Sequence, residues 1–273
     1  MVNFTILVVA VIALVVAIVM GLAWHYQERI VWQPPAPPYP GEPAAVRRVT
    51  FTARDGQPLF GYVIGEPDTS TAAPVIVFHG NADLAVWMVP WARELSRRTG
   101  RRVLVPEYRG YAGLTGATTY EGSASDAAAA LAFARDSLGA AGRPVALYGH
   151  SLGSAIAAEL AGREGAEVLV LQSPFSSASA MARIMVGQPM LTLWRFIARV
   201  HFDTAERVRT LDAPVWVGHG DRDLVIPVRM GREVFAAARH PGELLVVNGA
   251  GHNDVAEVGG EKYWSWLERA LRR

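Results

Sequence analysis

Between Phe4 and Ala23 the chain reads FTILVVAVIALVVAIVMGLA, a run with no charged side chain. About twenty helical residues rise ~30 Å, the thickness of a bilayer core. Trp24, Tyr26 and Trp32 follow as interfacial aromatics. The pattern predicts one N-terminal transmembrane helix, with residues 1–26 as an anchor in the cell membrane. A cleaved signal peptide is the rival reading, because Gly21-Leu22-Ala23 offers small residues near a cleavage position. The apolar run is longer than the roughly 7–15 residues of a signal h-region, and no Lys or Arg precedes it. Arg29, Arg47 and Arg48 lie after the span, so the positive-inside rule leans toward a cytoplasmic domain. With Arg29 the one arginine close to the span, and Glu28 beside it, the side is left open.

Residues 27–46 read as a Pro-rich linker whose stiff part is QPPAPPYPGEP, 33–43. The remainder, 47–273, reads as one domain. It opens with a predicted hairpin, strands near 47–53 and 58–64 around the turn signal Asp55-Gly56. From Pro74 onward short apolar runs recur: PVIVFHG, RVLVPEY, PVALYGH, EVLVLQSP, PVWVGHG and ELLVVNG. Strands this uniformly apolar suit a parallel sheet covered on both faces. Helical stretches near 85–98, 121–138, 152–163, 228–239 and 256–271 fall between them. That alternation predicts a doubly wound α/β domain with a mostly parallel sheet. The interval from about 175 to 211 is too long for one crossover. Its apolar residues Leu191, Leu193, Trp194, Phe196, Ile197 and Val200 predict a small helical cap.

Hydrophobic residues make up 51% of the chain, and the N-terminal run accounts for the excess. A net charge of +1, with basic residues scattered in pairs, gives no footprint for nucleic acid. The absence of cysteine excludes disulfides, thiolate catalysis and Cys-ligated zinc.

The chemistry gathers at the ends of the predicted strands. Gly149-His150-Ser151-Leu152-Gly153 is a Gly-x-Ser-x-Gly sequence with strand PVALY before it and helix-like LGSAIAAELAG after it. A strand–turn–helix of this kind lifts Ser151 to the tip of the sheet as a nucleophile and sets the Leu152 N–H, an oxyanion donor, at a helix N-terminus. A second oxyanion donor should come from the loop after PVIVF, where Asn81 of His79-Gly80-Asn81 is the best-placed backbone N–H. The alternative for Asn81 is a helix cap. His79 reads as a brace for this loop rather than a base. His252, in the glycine-flanked loop after the last strand, is the candidate base. Asn253 and Asp254 read as N-cap residues of the final helix. Asp221 and Asp223, after PVWV, compete as the carboxylate that orients His252, whereas Asp203 and Asp212 read as surface or capping residues.

Together with the PP-rich linker, the segments HGN (79–81), EYRGY (107–111), GHSLG (149–153), FDTAERV (202–208), PVWVGHGDRDLVIP (214–227) and GAGHND (249–254) resemble the ABHD-type, membrane-anchored α/β-hydrolases. The resemblance runs from about Gln27 to the C-terminus and implies the α/β-hydrolase fold. It also implies a Ser151–Asp223–His252 triad, in the chain order Ser, Asp, His, with Asn81 in the oxyanion hole. The chain departs from the family at Glu107, where Asp is usual, and at Ala112-Gly113-Leu114, where Gly, a basic residue and Ser are usual. These departures leave the substrate open.

The expected function is two-step acyl transfer by a serine hydrolase. Its expected substrate is a small-molecule or lipid-like acyl ester or thioester, cleaved with no cofactor and no metal. Two alternatives stand beside it. One is a serine peptidase, with Glu107 or Asp83 binding a free amine; the other is a membrane-tethered, non-catalytic binding protein.

Overall fold

The structure is a computed structural model that describes residues 4–44, 46–65, 72–186 and 198–272. Helix α1 spans Phe4–Val31. Among the described residues it is the one helix long and apolar enough to cross a membrane, and its apolar window is not buried against the domain. Residues 27–31, assigned to the linker from sequence, continue this helix. The linker starts where Pro34 biases Gln33 away from helical backbone. The end of α1 is docked rather than free: Gln27 and Glu28 are buried, and so is Trp32 just beyond. Trp32 meets Tyr108 and Phe202 edge-on, with ring centroids 6.2 Å apart in both cases.

The domain is built on an eight-stranded sheet of order β1-β2-β4-β3-β5-β6-β7-β8. Strands β1 (Arg47–Thr52) and β2 (Pro58–Ile64) form the expected hairpin, and β2 runs antiparallel to β4 (Val103–Pro106). The others are parallel: β3 (Val75–Phe78), β5 (Ala146–His150), β6 (Val168–Gln172), β7 (Val215–Gly220) and β8 (Pro241–Val247). The uniformly apolar strands hide a period of two, because both faces are covered. In β3, Ile76 and Phe78 pack toward α3 (Tyr120–Ser137) and α4 (Leu152–Glu164). Val75 and Val77 pack on the other face, with α2 (Val89–Thr99) and α8 (Val255–Ala270). Helix α2 begins later than its sequence pattern suggested. Pro90 lacks an N–H and fits only a first helical turn, so the residues before Val89 form turns instead.

In the cap interval the structure describes α5 (Ala178–Val186) and α6 (Thr204–Thr210). Residues 187–197, with most of the apolar cap run, lie outside the described residues. The segment returns through buried Phe202, which packs edge-on against Tyr120 at 4.9 Å. Helix α7 (Val228–Ala237) completes the layer.

The chain goes outward from β3 to β4, then crosses back to β5 on the other side of β3. At such a switch point the loops at the carboxyl ends of the strands diverge and leave a crevice. The turn from β5 into α4 stands there, and it is very tight. A Cβ on Gly149 would collide with the backbone of Gly153 and Ser154, and one on Gly153 with the carbonyls of Phe78 and His79. These obstacles are backbone and cannot swing aside. Gly153→Ala is therefore expected to destabilise the full-length protein by at least ~2 kcal/mol, the scale of forced overpacking. Urea unfolding measures this; an unchanged midpoint would mean that α4 does not approach β3 so closely.

Candidate active site

The β5–α4 turn holds Ser151 at φ 54°, ψ −117°, backbone that an L residue adopts only under strain. Its neighbours hold it there. The Ser151 N–H donates to the Gln172 carbonyl at 2.9 Å, and the Ser154 hydroxyl donates to the Ser151 carbonyl at 2.5 Å. Leu152 opens α4, so its N–H belongs to the first-turn donors that have no acceptor within the helix.

Two loops bring partners to this serine. The loop after β8 delivers His252, whose Nε2 lies 2.9 Å from Ser151 Oγ. The loop after β7 delivers Asp223, whose Oδ2 lies 2.7 Å from His252 Nδ1. With the carboxylate accepting, the proton belongs on Nδ1, which leaves Nε2 free to accept from the Ser151 hydroxyl. Asp223 is buried, and burial works against its charge. Hydrogen bonds from His219, His252 and the Ile226 N–H outweigh that penalty and hold its carboxyl well below the usual carboxylate range. The competing Asp221 turns elsewhere: its Oδ1 accepts from the Gly249 N–H at 2.6 Å and so braces the histidine loop.

Asp254 departs from its expected role. It stands at the N-cap of α8 but makes no side-chain capping bond there; its Oδ1 accepts from the Gly251 N–H at 2.6 Å. It thus tightens the loop that presents His252. Asp203 is the cap of α6, accepting from the Glu206 N–H, and Asp212 pairs with Arg239 on the surface.

The loop after β3 lies against Ser151. A Cβ on Gly80 would sit 3.6 Å from that of Ser151. His79 braces this loop from below: its Nε2 is 2.9 Å from Glu107 Oε1, with both side chains fully buried. Burial opposes a charged ring at His79, yet Glu107 beside it raises its pKa above the ordinary value. Glu107 is committed inward, also accepting from the N–H groups of Tyr108 and Ala85. It is therefore not a group for a substrate amine.

Ser151, His252 and Asn81 open onto a cavity of about 650 Å³. Its apolar wall is Trp87, Met88 and Trp91 with Tyr148, Val225 and Ala256. These come from the α2 and α8 side of the sheet; no described residue of the cap interval lines the cavity. Asp83 and Glu257 stand on the same wall. Deeper in, the hydroxyls of Tyr148 and Tyr263 donate to Gln172 Oε1 at 2.7 and 2.8 Å, and Trp91 Nε1 donates to the Tyr263 hydroxyl. Sequence reasoning did not single out Gln172 or His150 as cavity residues. Each ends a strand at the tip of the sheet, and that shared position was the available signal.

Residues 73–237 match the family described as alpha/beta hydrolase fold. The uncharacterized protein Rv2307c of Mycobacterium tuberculosis is 33% identical over 267 residues, covering 97% of this chain and 94% of that protein. The human alpha/beta hydrolase domain-containing protein 17B is 31% identical over 191 residues, 70% of this chain and 62% of that protein. Among solved structures, the esterase Pf2001 of Pyrococcus furiosus superposes with a TM-score of 0.67 at 20% identity, covering 88% of this chain and 98% of that one. The esterase domain of a Rhodothermus marinus protein gives a TM-score of 0.60 at 22% identity, covering 83% of this chain and 99% of that domain.

His150 sits beside His252, ring centroids 5.3 Å apart. Burial, with His252 nearby, lowers its pKa to about 4. As the pH falls, the unfolded chain takes up this proton near pH 6.5 and the folded chain only near pH 4. The neutral ring thus costs stability in that window. His150→Gln is expected to lose less unfolding free energy than the parent between pH 6.5 and 4, by an amount on the order of 3 kcal/mol. Urea titrations at several pH values measure it; parallel losses in both proteins would show that His150 titrates normally.

Proposed function

This chain belongs to the alpha/beta hydrolase fold family, and from that premise we propose that it is a serine hydrolase cleaving an acyl ester or thioester, tethered to the cell membrane by α1. The observation that carries the reading is the hydrogen-bonded row from Asp223 through His252 to Ser151, 2.7 and 2.9 Å long, at the mouth of the cavity.

In this reading Ser151 Oγ attacks the carbonyl carbon while His252 Nε2 takes its proton. Asp223 keeps the imidazole in the required tautomer and stabilises the imidazolium as it forms. The backbone N–H groups of Leu152 and Asn81 receive the developing oxyanion. His252 then returns the proton to the leaving oxygen or sulfur, and the acyl group stays on Ser151. Water enters, His252 deprotonates it, and a second tetrahedral intermediate collapses to release the acid and restore the Ser151 hydroxyl. The indoles of Trp87 and Trp91 supply an apolar surface for the acyl chain.

A second reading, a peptidase for substrates with a free amine, draws on the carboxylates of Asp83 and Glu257 at the cavity wall. Faster cleavage of aminoacyl-anilides than of acyl esters would favour it.

Ester hydrolysis by the full-length protein in detergent micelles, measured with p-nitrophenyl esters from acetyl to palmitoyl, provides the test. Ser151→Ala is expected to remove the activity. Asp223→Asn is expected to lower kcat by about 10⁴-fold, because an amide favours the wrong tautomer. Asp221→Asn, which touches only the loop, is expected to cost far less. Activity surviving in folded Ser151→Ala would sink the proposal.

The tether has its own assay. The full-length chain should stay in the membrane pellet after a carbonate wash, and a shorter, soluble product would mean that α1 is a cleaved signal.

A further inference from the structure

The last residues of α1 and those just beyond it are bonded to the loop proposed to receive the oxyanion. Asn81 Nδ2 donates to the Val31 carbonyl at 2.5 Å. Its Oδ1 accepts from the Gln33 N–H at 2.9 Å and from the Tyr111 hydroxyl at 2.8 Å. The same oxygen accepts from the Ala82 N–H at 3.0 Å, closing a turn in which Ala82 takes φ 52°. Three donors thus converge on an oxygen with two lone pairs, and the amide nitrogen faces a carbonyl. Asn is the residue this arrangement fits. An Asp would set a carboxylate against the Val31 carbonyl; an apolar side chain would leave the whole set without its hub.

The partner on the other side is itself immobilised. Gln27 Oε1 accepts from the Arg199 N–H at 2.6 Å, and Glu28 pairs with the Arg199 guanidinium at 3.1 Å. Trp32 is packed between Tyr108 and Phe202. Tyr108 in turn donates its hydroxyl to the carbonyl of His79, two residues before Asn81. The chain leaving α1 therefore grips the β3 loop at both His79 and Asn81, and Gln33 itself reaches the wall of the cavity.

We infer that the chain leaving α1 is a working part of the active site: Val31 and Gln33 hold the Asn81 carboxamide and, through it, aim the Asn81 backbone N–H at the oxyanion. This rests on the acyl-transfer reading above. An oxyanion donor acts through its direction, since it must lie about 2.7–3.1 Å from where the charge develops. A loop displaced by about 1 Å can cost as much as a hundredfold in rate without weakening substrate binding. Asn81 is then a positioning residue through its side chain as well as a donor through its backbone. The anchor helix sets the geometry of the site in addition to its location.

The test is kinetic, on the full chain in detergent micelles with p-nitrophenyl butyrate. Asn81→Ala keeps the backbone N–H but removes the hub, and kcat is expected to fall about 10- to 100-fold with KM little changed. Gln33→Pro deletes one donor to the hub and is expected to lower kcat several-fold. The double variant is expected to be no slower than Asn81→Ala alone, because both changes break the same link. Wild-type kcat in folded Asn81→Ala, a loss confined to KM, or losses that multiply in the double variant would each overturn the inference. If thermal unfolding shows that Asn81→Ala does not fold, Tyr111→Phe decides. It removes a single hydroxyl from the hub: a kcat reduced about 2- to 5-fold at constant KM supports the inference, and an unchanged kcat refutes it. Activity in Ser151→Ala would instead remove the acyl-transfer reading beneath it.

Discussion

Helix α4 lies so close to strand β3 that no side chain fits between them at Gly153, where a Cβ would strike the carbonyls of Phe78 and His79. To bring α4 that near, the chain leaving β5 must reverse within one residue, and Ser151 takes up the turn at φ 54°. Strained backbone persists only when the surroundings determine it from several sides. Here they include the bond from the Ser151 N–H to Gln172 on β6, the Ser154 hydroxyl and the paired glycines. The same approach presses the β3 loop against Ser151, so the serine and this loop are placed by one packing contact.

The electrostatics of the site follow from how deeply each group is sunk. His150 and His252 lie with ring centroids 5.3 Å apart, close enough for two imidazolium charges to oppose each other. Burial keeps His150 neutral down to about pH 4. His252 is slightly open to solvent and turns its Nδ1 to Asp223 at 2.7 Å. The carboxylate can stay charged because each of its oxygens is bonded: Oδ1 to the N–H groups of Val225 and Ile226, Oδ2 to His252 and His219. A buried charge satisfied in this way is held in one direction, and that fixes the plane of the histidine it orients.

The cavity divides the molecule differently from its sequence. Among the described residues its apolar wall comes from α2, the turns before it and the start of α8. Meanwhile residues 27–46, which read as a spacer, belong in part to the packed structure: Gln27 and Glu28 at the end of α1 and Trp32 just beyond it are buried. The two placements have one cause. Which face of the sheet a helix covers, and which loop a passing segment meets, depends on strand order, and strand order is not periodic in the sequence.

What the sequence determined by itself was local. The charge-free run to Ala23 dictated a long apolar helix, Asp55-Gly56 the hairpin, and the apolar strands alternating with helices a parallel sheet. Gly149 and Gly153 around Ser151 announced the tight turn because only glycine tolerates that approach at those two positions. Each of these signals lies within a few residues, where sterics and periodicity act directly. The tertiary structure alone decided the matters of distance across the chain. Where the residues by themselves left Asp221 and Asp223 open and only the family resemblance pointed to Asp223, it brought Asp223 Oδ2 to His252 and turned Asp221 toward Gly249. It turned Asp254 from a helix cap into a brace and sank Glu107 against His79. It also joined Asn81 to Val31 and Gln33, about fifty residues earlier. A carboxylate or an amide carries no local mark of its partner; its role is set by whichever donor the fold brings within 3 Å or so.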